Sequence, residues 1–247
     1  MTQSNPINVY DLVPVPNVCD QVLREIISLP KFSLAHVLMN KWNVSLWHQH
    51  SKMSEIYYIL SGEGTVYRGE EATYVEKGAF IVLPSNTQHK LENTGNSDLE
   101  HLVFAIPPFN PTDVQVLNDS SRKTGKYNKF EWDKKPLTAL DGAKIYELMT
   151  ESQKESLDVA LAVGFLPVRR KAIPHHHLFS EEIYYILDGV GKVKVGEQSF
   201  DVKKDSLIHI YANQIHSLEN LSTTKELSVL CASSPAYRDG DFIVARK

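Results

Sequence analysis

EIYYILSGEG at residues 55–64 and EIYYILDGVG at residues 182–191 are nearly the same sentence written twice. They lie 127 residues apart, and the same spacing links His48 to His175, His50 to His177, His89 to His216 and Asn93 to Asn220. From His48 to Asn93 the register holds without insertion or deletion. A unit of this length is a domain rather than a solenoid module, so the chain contains one fold duplicated.

Working outward, each copy reads as strands. SLAHVLMN, EIYYIL, GTVYRG, AFIVLP and DLEHLVFAI in the first half are short runs rich in β-branched and aromatic residues, broken by Gly, Asn or Pro. SLDVALAVGF, GKVKVG, SLIHIY and ELSVLCA follow in the second. SGEG (61–64) and DGVG (188–191) are read as hairpin turns that use the tolerance of glycine for positive φ. Many short strands at regular spacing predict an all-β chain of antiparallel sandwiches or barrels. One helix is expected over Val22 to Ser28, and Lys144 to Thr150 reads as extended. Prolines and charges replace the alternation from Pro107 to Pro136, which divides the chain into an N-terminal barrel with its arm (1–110), a linker (111–136) and a C-terminal barrel (137–247).

Of the 247 residues, 42% are hydrophobic and 23% charged, as in ordinary globular proteins. A formal charge of −4 argues against nucleic acid as a partner. The lysine-rich stretch Arg122 to Lys135 is interrupted by Glu131 and Asp133 and reads as a solvated connection. Two cysteines, Cys19 and Cys231, imply no disulfide framework and fit a reducing compartment. With no apolar run long enough for a signal peptide or a membrane span, a cytoplasmic protein is expected.

Six of the ten histidines fall at equivalent positions of the repeat. His48 and His50, like His175 and His177, alternate with one intervening residue, which puts both imidazoles on one face of a strand. Glu55 and Glu182 follow five residues later. That odd separation demands a bend before the next strand, so that the carboxylate turns back toward the imidazoles. His89 and His216 arrive from another strand. Three imidazoles and one carboxylate suit Fe(II), Mn(II), Ni(II), Cu(II) or Zn(II), with coordination positions left for water, O₂ or a chelating substrate. Glu181 is read as solvated, and His176 as pointing away from its neighbours.

The pattern resembles the cupins. His48-Gln49-His50, four residues, Glu55, six residues, Gly62 repeats the first cupin motif, and His175-His176-His177 with Glu182 and Gly189 repeats it again. The second motif is matched by Gly78, Pro84, His89 and Asn93, with Asn86 in place of a Gly. In the other copy His216 and Asn220 match, while Asp205, Tyr211 and Asn213 depart. The resemblance implies a bicupin, two jelly-roll-type barrels of the double-stranded β-helix kind. It implies the metal ligands His48, His50, Glu55 and His89 in one barrel and His175, His177, Glu182 and His216 in the other, up to two ions per chain, with Fe(II) or Mn(II) favoured.

Cupins include dioxygenases, isomerases, lyases and non-catalytic binders, so the resemblance alone does not fix the chemistry. The favoured expectation is a dioxygenase-type oxidoreductase acting on a small oxygen-rich metabolite. A metal-dependent isomerase or lyase and a non-enzymatic sugar- or metabolite-binding module are the alternatives. Glu55 and Glu182 are the candidate catalytic residues. Tyr57, Trp47, Gln88, Tyr184 and His209 are candidates for contacting substrate, with His101 a further polar candidate. The barrels are expected to differ in function, because Trp47 aligns with Pro174, Val82 with His209, Pro84 with Tyr211 and His101 with Ser228. A monomer or a homodimer is expected, with no membrane partner.

Overall fold

Glu55–Leu60 is buried at every position, so EIYYIL is a strand covered on both faces. In the computed structural model, which describes residues 5–117, 127–129 and 135–245, this strand runs Ser54–Ser61. It lies fourth, next to the edge strand Phe80–Leu83, in a five-stranded sheet ordered Val22–Ser28, Ser33–Met39, Leu99–Ile106, Ser54–Ser61, Phe80–Leu83. The facing sheet is ordered Val114–Val116, His48–His50, His89–Glu92, Glu63–Arg68, Glu71–Glu76, Tyr127–Lys129. Tyr57, Ile59, Val37 and Leu99 from the first sheet meet Val66, Val75 and Leu91 from the second in a single core. This is the closed sandwich that removes most exposed apolar surface from a sheet pair.

The second half repeats the plan. Glu181–Asp188 sits among Ser206–Ile210, Leu227–Ser234, Ala160–Leu166 and Lys144–Glu147 in one sheet. Gln198–Lys203, Val190–Val195, His216–Asn220, His175–His177 and Phe242–Val244 form the other. Tyr184, Ile186, Val193, Ile208, Leu218 and Val229 lie in its core. Among the described residues no helix is long and apolar enough to cross a membrane.

Several expectations need correction. Val22–Ser28 is an edge strand, not a helix; it pairs antiparallel with Ser33–Met39, and that pairing overrides its weak helical pattern. Among the described residues the α-helix is Glu151–Leu157, started by a capping box in which Thr150 and Gln153 exchange side-chain and backbone hydrogen bonds. The glycine turns are not hairpins. Ser54–Ser61 and Glu63–Arg68 belong to opposite sheets, so Gly62 (φ +78°) and Gly189 (φ +96°) turn corners. At Gly62 a Cβ would stand 2.8 Å from the Leu99 Cα, which leaves no room for a side chain.

The domain limits also shift. The chain divides into one unit of Leu12–Trp132 and another of Met1–Asp11 with Asp133–Lys247. The N-terminal arm therefore belongs with the C-terminal barrel, where Ile7–Asn8 pairs with Ser206 and Leu207 and covers a sheet edge. The start of the expected linker is structural, because Val114–Val116 pairs with His48–His50. Most of the remaining connection, with its lysine-rich stretch, lies outside the described residues.

Asp205, Asn86 and Asn213, which replace motif glycines, sit at φ +67°, +60° and +65°. The turns keep their shape because Asn and Asp tolerate the left-handed region better than other side chains. Asn93 and Asn220 hold their turns as expected. The Asn93 Nδ2 donates to the carbonyls of Met39, Asn40 and Ser97, and the Asn220 Nδ2 to those of Leu166, Pro167 and Lys225.

Candidate metal centres

His48 and His50 lie on one sheet and Glu55 on the sheet facing it, so the odd sequence separation is resolved by crossing the barrel. His89 stands directly opposite His48 on the adjacent strand. The fold gathers one ligand atom from each of His48, His50, Glu55 and His89 within 4.8 Å of one another, and does the same for His175, His177, Glu182 and His216. In the first cluster the Glu55 carboxylate lies 3.1 Å from the His89 Nε2 and 3.4 Å from the His50 Nε2. In the second, Glu182 lies 3.1 Å from His216 and 3.4 Å from His177.

Both clusters fit a divalent cation. The Nδ1 atoms of His48, His89, His175 and His216 lie 2.7–2.8 Å from the carbonyls of Leu46, Thr87, Ile173 and Gln214. With the proton on Nδ1 as donor to that carbonyl, each Nε2 is left as a lone pair aimed inward. The buried Nε2 atoms of His50 and His177 have no hydrogen-bond partner, an expensive state that a cation would relieve. Burial and the neighbouring His89 push the His48 imidazole below its ordinary range. Burial and His216 push His175 down to about 4. Although burial opposes it, the negative Glu55 and Glu182 carboxylates 3.4 Å away raise His50 and His177. Glu55 and Glu182 are buried, yet their imidazole partners hold both carboxyls well below the usual range.

The bend required between the histidine pair and the glutamate has its own anchor. The Asp113 carboxylate accepts hydrogen bonds from the backbone N–H groups of Ser51, Lys52 and Met53 and from the Ser51 hydroxyl. These bonds, the Ser51 hydroxyl first, hold its pKa at about 2. In the other barrel Asp241 accepts from the Phe179 N–H (2.8 Å) and the Ser180 hydroxyl (2.6 Å), and lies 3.4 Å from the His177 Nδ1. Sequence reading missed both aspartates, although Asp113-Val-Gln-Val and Asp241-Phe-Ile-Val repeat the same pattern. Their spacing is 128 rather than 127, because the turn after Asn220 holds one residue more than the turn after Asn93. The same extra residue corrects an alignment. His101 pairs with Ile59 as Val229 pairs with Ile186, so His101 corresponds to Val229, not Ser228.

The other candidates divide. The Tyr57 hydroxyl donates to the Glu55 Oε2 at 3.0 Å, and burial, then Glu55, keep it protonated far above the ordinary phenol range. Tyr184 packs edge-on against His216 beside Glu182. Trp47 does not face the cluster. It alternates with His48 and lies buried against Tyr67 beneath the Lys90 ammonium. Gln88 is exposed and contributes its carbonyl to Gly69. His209 turns outward to Glu181 at 2.9 Å, since it stands opposite Ile183 rather than Glu182. Glu181 is thus paired rather than simply solvated.

The surroundings of the two clusters differ. His48, His50, Glu55 and Tyr57 border a cavity of about 470 Å³ within the N-terminal barrel, lined by Leu, Ile and Val side chains together with polar ones such as Asn17, Gln21 and Glu25. Among the described residues lining it there is no Lys or Arg. Over the second cluster Phe242 stacks on His175 (4.3 Å between centroids) and Tyr237 packs edge-on against His177. The position equivalent to Phe242 is Val114, which lines the N-terminal cavity.

A family model described as a cupin domain matches residues 36–105 and 163–233. An uncharacterized protein of Methanocaldococcus jannaschii is 39% identical over 119 residues, covering 48% of this chain and 94% of that protein. An oxalate-binding protein of Thermotoga maritima is 41% identical over 59 residues, covering 24% of this chain and 49% of that protein. Among solved structures, the oxalate decarboxylase of Bacillus subtilis, described for its Mn(II) centres, superposes with a TM-score of 0.75 at 15% identity. The match covers 99% of this chain and 80% of that one.

Proposed function

This chain belongs to the cupin family, whose domain it carries twice, and from that premise we propose that it is a metal-dependent enzyme of the dioxygenase type. Its substrate is a small, neutral or singly charged oxygen chelator taken into the N-terminal barrel. The observation that carries this reading is the pairing of a three-histidine, one-carboxylate cluster with a mainly apolar cavity whose described lining holds no Lys or Arg. A dianion entering such a cavity would lose its hydration without a cationic side chain to replace it, which favours an enol, a diketone or a hydroxyketone with an apolar body.

A divalent ion held by His48, His50, Glu55 and His89, with Fe(II) or Mn(II) favoured, would supply Lewis acidity and a place for O₂ and the chelating oxygens. The rest falls to the chain. The backbone carbonyls behind His48 and His89 fix the tautomers. Tyr57 holds the Glu55 carboxylate in place with a proton it does not give up near neutral pH. The apolar part of the wall lowers the local polarity around a bound ligand, which strengthens each polar contact inside. Glu182 with His175, His177 and His216 would hold a second ion in a chiefly structural role, and Phe242 stacks on His175 there.

A second reading, binding or cleavage of oxalate, is favoured by the similarity to the oxalate-binding protein. An oxygen electrode separates the two. Protein loaded with Fe(II) or Mn(II) is offered benzoylacetone, an enediol, a flavonol and oxalate in turn. The proposal predicts O₂ uptake with at least one of the first three, lost in Glu55→Gln and retained in Glu182→Gln. Turnover of oxalate with no O₂ uptake from the others would establish the second reading instead. Tight binding of the chelators without turnover would make the chain a binding module.

A further inference from the structure

The wall of the N-terminal cavity contains a polar group that the metal cluster does not use. His101 is only 3% exposed, borders the cavity, and has a buried Nδ1 with no hydrogen-bond partner. Its ring lies 5.2 Å from that of Tyr57, whose own ring is 6.2 Å from that of His89. His101 is therefore set back from the cluster, with Tyr57 between. Around it the wall is aliphatic, with Leu23, Val37, Val103 and Ala105 among the bordering residues.

Packing does not require a histidine here. The other barrel fills the equivalent place, opposite Ile186, with Val229. Leaving an imidazole nitrogen buried and unsatisfied is destabilising, a penalty that valine avoids. Burial above all pushes the ring down to about 3, so it stays neutral across the working pH range and can offer one donor and one acceptor.

We infer that His101 is the specificity-determining residue of the N-terminal cavity, forming a hydrogen bond with a hydroxyl or carbonyl at the end of the ligand remote from its chelating oxygens. The inference rests on the reading of this cavity as the substrate site, and it narrows the class. The ligand has a chelating pair, an apolar middle and a second polar group beyond it.

The probes are benzoylacetone and its para-hydroxy derivative, titrated calorimetrically into Mn(II)-loaded wild type, His101→Val and His101→Gln. Thermal midpoints are compared first. In wild type the added hydroxyl should tighten binding about tenfold, the value of one buried hydrogen bond. His101→Val should abolish that advantage while binding benzoylacetone as well as wild type does, and His101→Gln should restore part of it. If the hydroxyl gives wild type no advantage, the inference is overturned without recourse to any variant. An equal advantage in wild type and His101→Val overturns it as well, and in both cases binding of benzoylacetone leaves the cavity reading intact. If neither diketone binds wild type, the cavity reading fails and the inference falls with it.

Discussion

The aspartate behind each cluster anchors the turn between the histidine pair and the glutamate without itself being a ligand. Asp113 fixes the three residues that carry the chain from His50 toward Glu55, so Asp113→Ala should loosen the first cluster while leaving its ligands in place. We expect a 10–100-fold loss of metal affinity at that site, the usual effect of removing an outer-shell partner, read by competition with a chromogenic chelator. Unchanged affinity would remove Asp113 from the account. The same carboxylate has a pH signature. Its folded pKa of about 2 lies below the unfolded value of about 3.9, so its stabilisation is complete above the unfolded value and is lost as pH falls through the folded one. Asp113→Asn should therefore flatten the acid limb of stability between those values. Within the clusters, His50 and His177 are raised by their glutamates, so protons compete with the cation for their ring nitrogens. Metal uptake should release protons and weaken as pH is lowered, so calorimetric heats should differ between buffers of different ionisation enthalpy. Identical heats would contradict this.

Individual elements show where sequence reading succeeds and where it stops. Alternating apolar residues and the paired histidines made the strands and the ligand set legible, because both depend on the two-residue period of a strand. The helix expected over Val22 to Ser28 failed because an edge strand is defined by its partner, Ser33–Met39, and no local pattern records that pairing. The glycine turns misled for a related reason. Positive φ was read correctly, but a hairpin and a corner use the same residue, and only the sheet assignment distinguishes them. That assignment makes Gly62 testable. Gly62→Ala meets both a left-handed backbone and the Leu99 Cα, and should cost on the order of 1–3 kcal/mol or more in urea denaturation. Gly69 also has positive φ, but a Cβ there meets nothing within 4 Å. Gly69→Asn should accordingly cost less than about 1 kcal/mol. Equal losses at the two positions would mean that the corner is not where the strain lies.

For the whole molecule, duplication carries the argument. Two copies of one barrel retain the same four ligands while the residues around them diverge, His101 against Val229 and Val114 against Phe242. Trp47 and Gln88 looked like pocket residues because they neighbour ligands in sequence, and His209 because it is a histidine on a strand beside the cluster, but each turns away from it. Asp113, Asp241 and the cavity wall come from segments distant in sequence and were invisible to a search near the motifs. Cation binding to the native state alone should raise the thermal midpoint of chelator-treated protein, by about 2.7 kcal/mol of added stability at one hundred times the dissociation constant. The central claim is that each barrel holds one divalent ion through its own cluster. It is tested most directly by elemental analysis of metal-loaded, desalted wild type, His50→Ala and His177→Ala. The account predicts two ions per chain in the wild type and one in each variant. Two ions retained in either variant would contradict it.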